Sequence, residues 1–102
     1  MVSPYDKEAE RLAALPRAER FEELIDFPVD HTFKVIGRRE GLSEAVQQAL
    51  AAVGRPDTCL VERPSAQGTY VSLTFTLAVA SGRELDGLYT VLEALPGLAF
   101  LL

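Results

Sequence analysis

Within residues 69–79 large apolar residues recur strictly at every second position from Val71 to Val79. Val71, Leu73, Phe75, Leu77 and Val79 fall on one side of a period of two, and Ser72, Thr74, Thr76 and Ala78 on the other. Successive side chains of a strand point to opposite faces, so this segment predicts a long strand buried on one face. Residues 32–36 show the same pattern in short form. Phe33 and Val35 take one side, Thr32, Lys34 and Ile36 the other, and Gly37 is expected to end the strand. Between these two segments the period changes. Leu42, Ala45, Val46, Ala49, Leu50 and Val53 recur at helical spacing until Gly54 and Pro56 stop the stripe. A further helix is predicted to begin at Ser81, which forms a capping box with Glu84. Leu85, Leu88, Tyr89, Leu92 and Leu95 supply its apolar stripe, and Pro96-Gly97 breaks it. Residues 58–63 and 98–102 read as the remaining strands. Pro64-Ser65-Ala66-Gln67-Gly68 is the turn chemistry that joins the first of them to the long strand as a hairpin.

The order strand, helix, strand, strand, helix, strand predicts an α+β fold, a ferredoxin-like βαββαβ two-layer sandwich. Its four-stranded antiparallel sheet carries both helices on one face. Right-handed crossovers place the first and third strands in the centre and the second at an edge. The other face, with Thr32, Lys34, Ile36, Ser72, Thr74 and Thr76, is left to solvent, to an N-terminal helix or to self-association. Upstream, residues 1–20 form a charged leader in which Ala9, Leu12, Ala13 and Leu15 allow a short helix, ended or offset by Pro16. Phe21, Leu24 and Ile25 predict a second helix over residues 18–25, closed by Asp26-Phe27-Pro28. The expected organisation is a helical, mobile extension over 1–20, or alternatively a docking segment, followed by a single domain over 21–102.

At 102 residues, 48% hydrophobic and 25% charged, the chain can bury one core without staples. The net charge of −5 lacks the electrostatic footprint of a nucleic-acid or anionic-membrane binder. A single cysteine, Cys59, excludes an internal disulfide and a cysteine metal cage, and fits a reducing, cytoplasmic setting. No apolar run reaches the ~20 residues that span a bilayer, and the first twenty residues have no apolar signal-like core.

At Leu24-Ile25-Asp26-Phe27-Pro28, followed by Phe33-Lys34-Val35-Ile36-Gly37, the chain resembles the small bacterial YbeD-like family. The resemblance continues at Arg63-Pro64-Ser65, Gly68, Tyr70 and Ser72, resumes at Leu88-Tyr89, and covers roughly residues 21–102. It implies the ferredoxin-like fold, similar to ACT-type regulatory domains, and a regulatory role by analogy. The leader departs from the compact members of that family.

Several activities of this fold are disfavoured. The chain has no asparagine, so the Arg and Asn pairing of acyl-phosphate hydrolysis is missing. One thiol cannot make a metal carrier, and no metal site or cofactor is expected. Tyr70 is the only aromatic expected on the open face, which argues against RNA. His31 has no triad partner at a recognisable spacing and reads as a surface histidine at a strand start. Cys59 reads as a small buried hydrophobe on the second strand, and the least favoured reading is an enzyme using His31 or Cys59. Carboxylates such as Glu22, Glu23, Asp26, Asp86 and Glu93 read as solvated. The first candidate site is the connection Gly37-Arg38-Arg39-Glu40-Gly41, where two arginines beside a helix N-terminus suit a carboxylate or phosphate. The plain alternative is two solvated arginines on a tight loop. The second candidate is the family-motif turn with Arg63, Ser65, Gly68 and Tyr70, whose proline and glycine hairpin geometry alone explains. The expected function is a non-enzymatic regulatory module binding a small anionic ligand or a protein partner. The alternative is a structural adaptor or homodimer that acts through sheet-edge or sheet-face pairing.

Overall fold

The computed structural model describes residues 4–102, so the first three residues of the expected leader lie outside the described residues. Two helices, α1 (Pro4–Ala14) and α2 (Arg17–Leu24), precede β1 (Val29–Arg38), α3 (Leu42–Ala52), β2 (Val61–Pro64), β3 (Tyr70–Val79), α4 (Gly82–Glu93) and β4 (Leu98–Leu101). The strands form one antiparallel sheet in the order β2-β3-β1-β4. This is the expected ferredoxin-like sandwich, with the two long strands central and β2 and β4 at the edges.

Phe33 and Val35 of β1 and Val71, Leu73, Phe75, Leu77 and Val79 of β3 are buried against Leu42, Val46 and Leu50 of α3 and Leu85, Leu88 and Leu92 of α4. Phe33 stands opposite Phe75, with the rings stacked at 5.4 Å. Each such side chain contributes about 1.5–3 kcal/mol when fully buried. The Ser81 hydroxyl accepts the Glu84 N–H at 3.2 Å, and the Glu84 carboxylate accepts the Ala80 N–H at 3.3 Å. The expected cap is thus present, with its return bond displaced by one residue. Glu84 also takes Arg55 at 2.9 Å.

Three expectations are corrected. Gly37 does not end β1, which continues through Arg38. It sits where β1 shifts register against β4, and a Cβ there would lie 2.6 Å from the Gly97 carbonyl oxygen. Strand β2 is four residues long and exposed throughout, because only Val61 to Pro64 have partners on β3. Cys59 therefore precedes the strand and is exposed rather than buried. A third group, the carboxylates Glu22, Glu23, Asp86 and Glu93, is not merely solvated but joins the leader to the domain. Glu22 accepts the Gly82 N–H at 2.7 Å, Arg17 bonds Asp86, Glu93 and the Thr90 hydroxyl, and Arg11 of α1 pairs with Glu23. Helix α2 approaches α4 so closely that a Cβ on Gly82 would lie 2.3 Å from the Ala18 carbonyl oxygen. Among the described residues α2 thus covers α4 and the outer sheet face is left open.

Gly37→Ala should place a methyl against the Gly97 backbone and lose about 1–3 kcal/mol through overpacking. Urea unfolding measures this as a lowered midpoint at unchanged slope. An unchanged midpoint would show that the approach of β4 does not depend on the glycine.

Candidate functional site

The two candidate segments, separate in sequence, meet at one end of the sheet. Arg38 is the last residue of β1 and stands opposite Tyr70, the first of β3. The Arg39 N–H donates to the Thr69 carbonyl at 3.1 Å, which ties the β1–α3 connection to the hairpin. In the hairpin, Ser65 and Tyr70 bond through N–H of Ser65 to O of Tyr70 at 2.8 Å, and the Ser65 hydroxyl accepts the Tyr70 N–H at 3.2 Å. Gly68, at φ 75°, closes the turn, and the Arg39 guanidinium reaches over it, 3.4 Å from where a Cβ would stand. Gly41, also at φ 75°, precedes α3 with no side-chain cap. Left-handed backbone of this kind favours glycine.

Gly37 is buried within β1 and is placed for packing, with its neighbour Arg38 donating its N–H to Gly97 at 3.0 Å. Arg38, Arg39, Arg63 and Lys34 are exposed, and among the described residues their side chains make no hydrogen bond or ion pair. Arg11, Arg17 and Arg55 are by contrast paired with carboxylates. Arg63 lies opposite Ser72, and Ser72 opposite Ile36, so Arg63, Lys34, Ile36 and Arg38 share the outer face by alternation. Between Lys34, Ile36, Arg63, Ser65, Tyr70 and Ser72 lies a shallow depression of about 230 Å³.

His31 lies elsewhere. It is half-buried on the helix-facing side, with Nε2 3.0 Å from the Tyr89 hydroxyl and its ring edge-on to Phe33 at 4.7 Å. The expectation of a surface histidine is therefore corrected: it packs beneath α4. Cys59 stands apart in the loop before β2. Among the described residues no group of His, Cys, Asp and Glu could hold a metal ion, and no helix is long and apolar enough to cross a membrane. The sequence reading missed Phe100 and Val61. Phe100 pairs with Ile36 and Val61 with Thr74, so both belong to the outer face, where they are 64% and 62% exposed. Tyr70 is thus not the only aromatic there. The run Leu98-Ala99-Phe100-Leu101-Leu102 has no period of two, so nothing in it marked which side chain faces out.

Burial pushes the His31 imidazole below its ordinary value of 6.5. The folded state then binds the proton less readily than the unfolded chain, so His31 supports folding above pH 6.5 and that support is lost as the pH falls below it. An NMR titration should give a midpoint under 6.5, and His31→Gln should flatten the acid side of the stability profile. A midpoint at or above the ordinary value would contradict the packing described.

Comparison with known proteins agrees with the resemblance read from the residues. The profile of a family described as "Protein of unknown function (DUF493)" matches residues 22–102. A UPF0250 protein of Nitrosomonas europaea is 36% identical over 84 residues, covering 79% of this chain and 97% of the relative. One of Bordetella parapertussis is 38% identical over 87 residues, covering 79% and 92%. The solution structure of protein HP0495 from H. pylori is similar over 100% of this chain and 97% of its own, with a TM-score of 0.66 at 17% identity. The ACT domain from GTP pyrophosphokinase of Chlorobium tepidum is similar over 72% of this chain and 97% of its own, with a TM-score of 0.51 at 15% identity. At these identities the two structures show likeness of fold alone.

Proposed function

The chain belongs to the DUF493 family, and from that footing we propose that it is a non-enzymatic regulatory module of the cytoplasm that takes a small anionic ligand at the end of its sheet. The carrying observation is the bond from Arg39 N–H to Thr69 O, which brings the arginine connection beside the hairpin while Arg38, Arg39 and Arg63 stay unpaired. A hydrogen bond to a charged group contributes about 1.5–3 kcal/mol. The field of the α3 N-terminus adds about 0.3–1 kcal/mol. The arginines therefore dominate, and the uncapped helix start beside Gly41 assists them. A carboxylate or phosphate matches the fork geometry of guanidinium. Support for a regulatory role comes from the likeness to an ACT domain, which is analogy at the level of fold. The lack of an assembled nucleophile and base around His31 or Cys59 favours binding over catalysis.

Thermal-shift screening with amino acids, small organic acids and inorganic phosphate tests this. A ligand at 100 times its Kd stabilises by about 2.7 kcal/mol. For a domain of this size that is an upward Tm shift of roughly 10–20 °C. Replacing Arg38 and Arg39 by alanine should abolish the shift while leaving the unliganded Tm within a few degrees. If no compound moves Tm, or the double variant responds like the parent, the small-ligand reading is wrong.

A further inference from the structure

The outer face of the sheet has a composition that a solvated face does not need. Val61 (62% exposed), Phe100 (64%) and Leu102 (64%) stand on it at the two edges. The position of Leu102 follows from its reciprocal backbone bonds with Lys34, at 2.9 and 3.0 Å, which put the two residues side by side. Two rows cross the sheet in register. One runs Val61, Thr74, Lys34, Leu102 and the other Arg63, Ser72, Ile36, Phe100. Each has apolar and cationic members separated by hydroxyls. Among the described residues, Lys34, Arg38 and Arg63 meet one side-chain carboxylate on this face, Asp30 at the far end opposite Ala78, besides the carboxyl group of Leu102 beside Lys34. A chain of net charge −5 thus carries an excess of positive charge on its one uncovered sheet face.

We propose that this face docks an extended acidic segment of a partner protein, with Lys34 and Arg63 receiving its carboxylates and Val61, Phe100 and Leu102 its apolar side chains. The inference does not rest on the small-ligand reading: the two share Arg63, but Lys34, Val61, Phe100 and Leu102 lie outside the Arg39–Gly68 end. Charge complementarity selects the occupant. A second copy seated by a two-fold axis would set the same cations against themselves. A nucleic acid is bound chiefly through many phosphate contacts, and an acidic protein with three cations on one face offers few. Its bases would also need adjacent aromatic platforms, whereas Tyr70 begins β3 and Phe100 stands on β4 with β1 between them. Four strands at ~4.8 Å spacing make a row about 14 Å across, the span of about four extended residues. A short segment alternating acidic and apolar residues would therefore reach from edge to edge.

The test uses the full chain and a labelled peptide alternating glutamate and leucine, followed by fluorescence anisotropy and backbone amide NMR. Controls are a lysine–leucine peptide, a glutamate–serine peptide and oligothymidylate. The glutamate–leucine peptide should bind, perturb amides at 32–36, 72–76 and 98–102, and weaken with added salt. Lys34→Glu with Arg63→Glu should weaken it about tenfold or more, equal to about 1.4 kcal/mol. Phe100→Ser should weaken it separately, and Arg39→Ala should leave it intact. Unchanged Tm values confirm that the variants fold. Four results would overturn the proposal. These are no binding, perturbation confined to the Arg39–Gly68 end, tighter binding of oligothymidylate, or burial of the face by self-association without peptide. Arg39→Ala should weaken the small-ligand response and spare the peptide, so failure of either reading is visible without the other.

Discussion

The pairing of β1 with β3 in one register is the constraint on which everything else depends. Phe33 opposite Phe75 and Val35 opposite Leu73 direct a continuous apolar surface at α3 and α4. The side-chain period is two, so a slip by one residue would turn that surface outward and bring Lys34, Ile36 and Arg38 inward. Each large apolar side chain would then lose about 1.5–3 kcal/mol. Each unpartnered cation brought inside would cost several kcal/mol more. Both effects act in the same direction. The alignment that builds the core is therefore the alignment that displays Lys34, Arg38 and Arg63 to solvent.

Contact between layers is set by two places where backbone approaches backbone. Gly37 admits the Gly97 carbonyl, and Gly82 admits that of Ala18. The first draws β4 against β1 and so positions Phe100 beside Ile36. The second seats α2 on α4, where Glu22 accepts the first N–H of the helix and Phe21 lies against Tyr89 at 5.7 Å. Once α2 is held there by Arg17, Asp86 and Glu93, it is committed to the helical layer. The open face is thus partly a result of chemistry on the opposite side of the molecule.

Regular alternation and helical stripes made most of this architecture legible. The eleven-residue pattern around Phe75 and the Ser81 cap carry their own local signals, and strand order follows from crossover handedness. What was not legible lies where local pattern and tertiary contact part company. Gly37 reads as a terminator because glycine usually weakens a strand, yet here its missing Cβ is what a neighbouring carbonyl occupies. Cys59 reads as buried because cysteine on a strand usually is, but the chain joins β3 only from Val61 onward and Cys59 lies before that pairing. The clamp of Arg17 on Asp86 and Glu93 joins residues some 70 positions apart, which no local period encodes. The convergence of the Arg39 connection with the Gly68 turn is likewise a tertiary fact, although each segment was visible alone.

Two populations of arginine follow from these placements. Arg17 and Arg55 bridge elements, and their rotamers are fixed by carboxylates already in the fold. Arg38, Arg39 and Arg63 remain unpaired, so each retains rotamer freedom worth up to about 2 kcal/mol, some of which a bound anion must offset. At the Arg39 end the cost is reduced, because the guanidinium already rests over Gly68 and the loop is tied to Thr69. A single compact anion can exploit such local preorganisation. Across the outer face Lys34 and Arg63 stand on different strands, β1 and β2, with Ser72 and Thr74 of β3 between them. A ligand with several acidic groups on one backbone gains from each cation in turn. Its second and third contacts then form within a complex already held, at a high effective concentration.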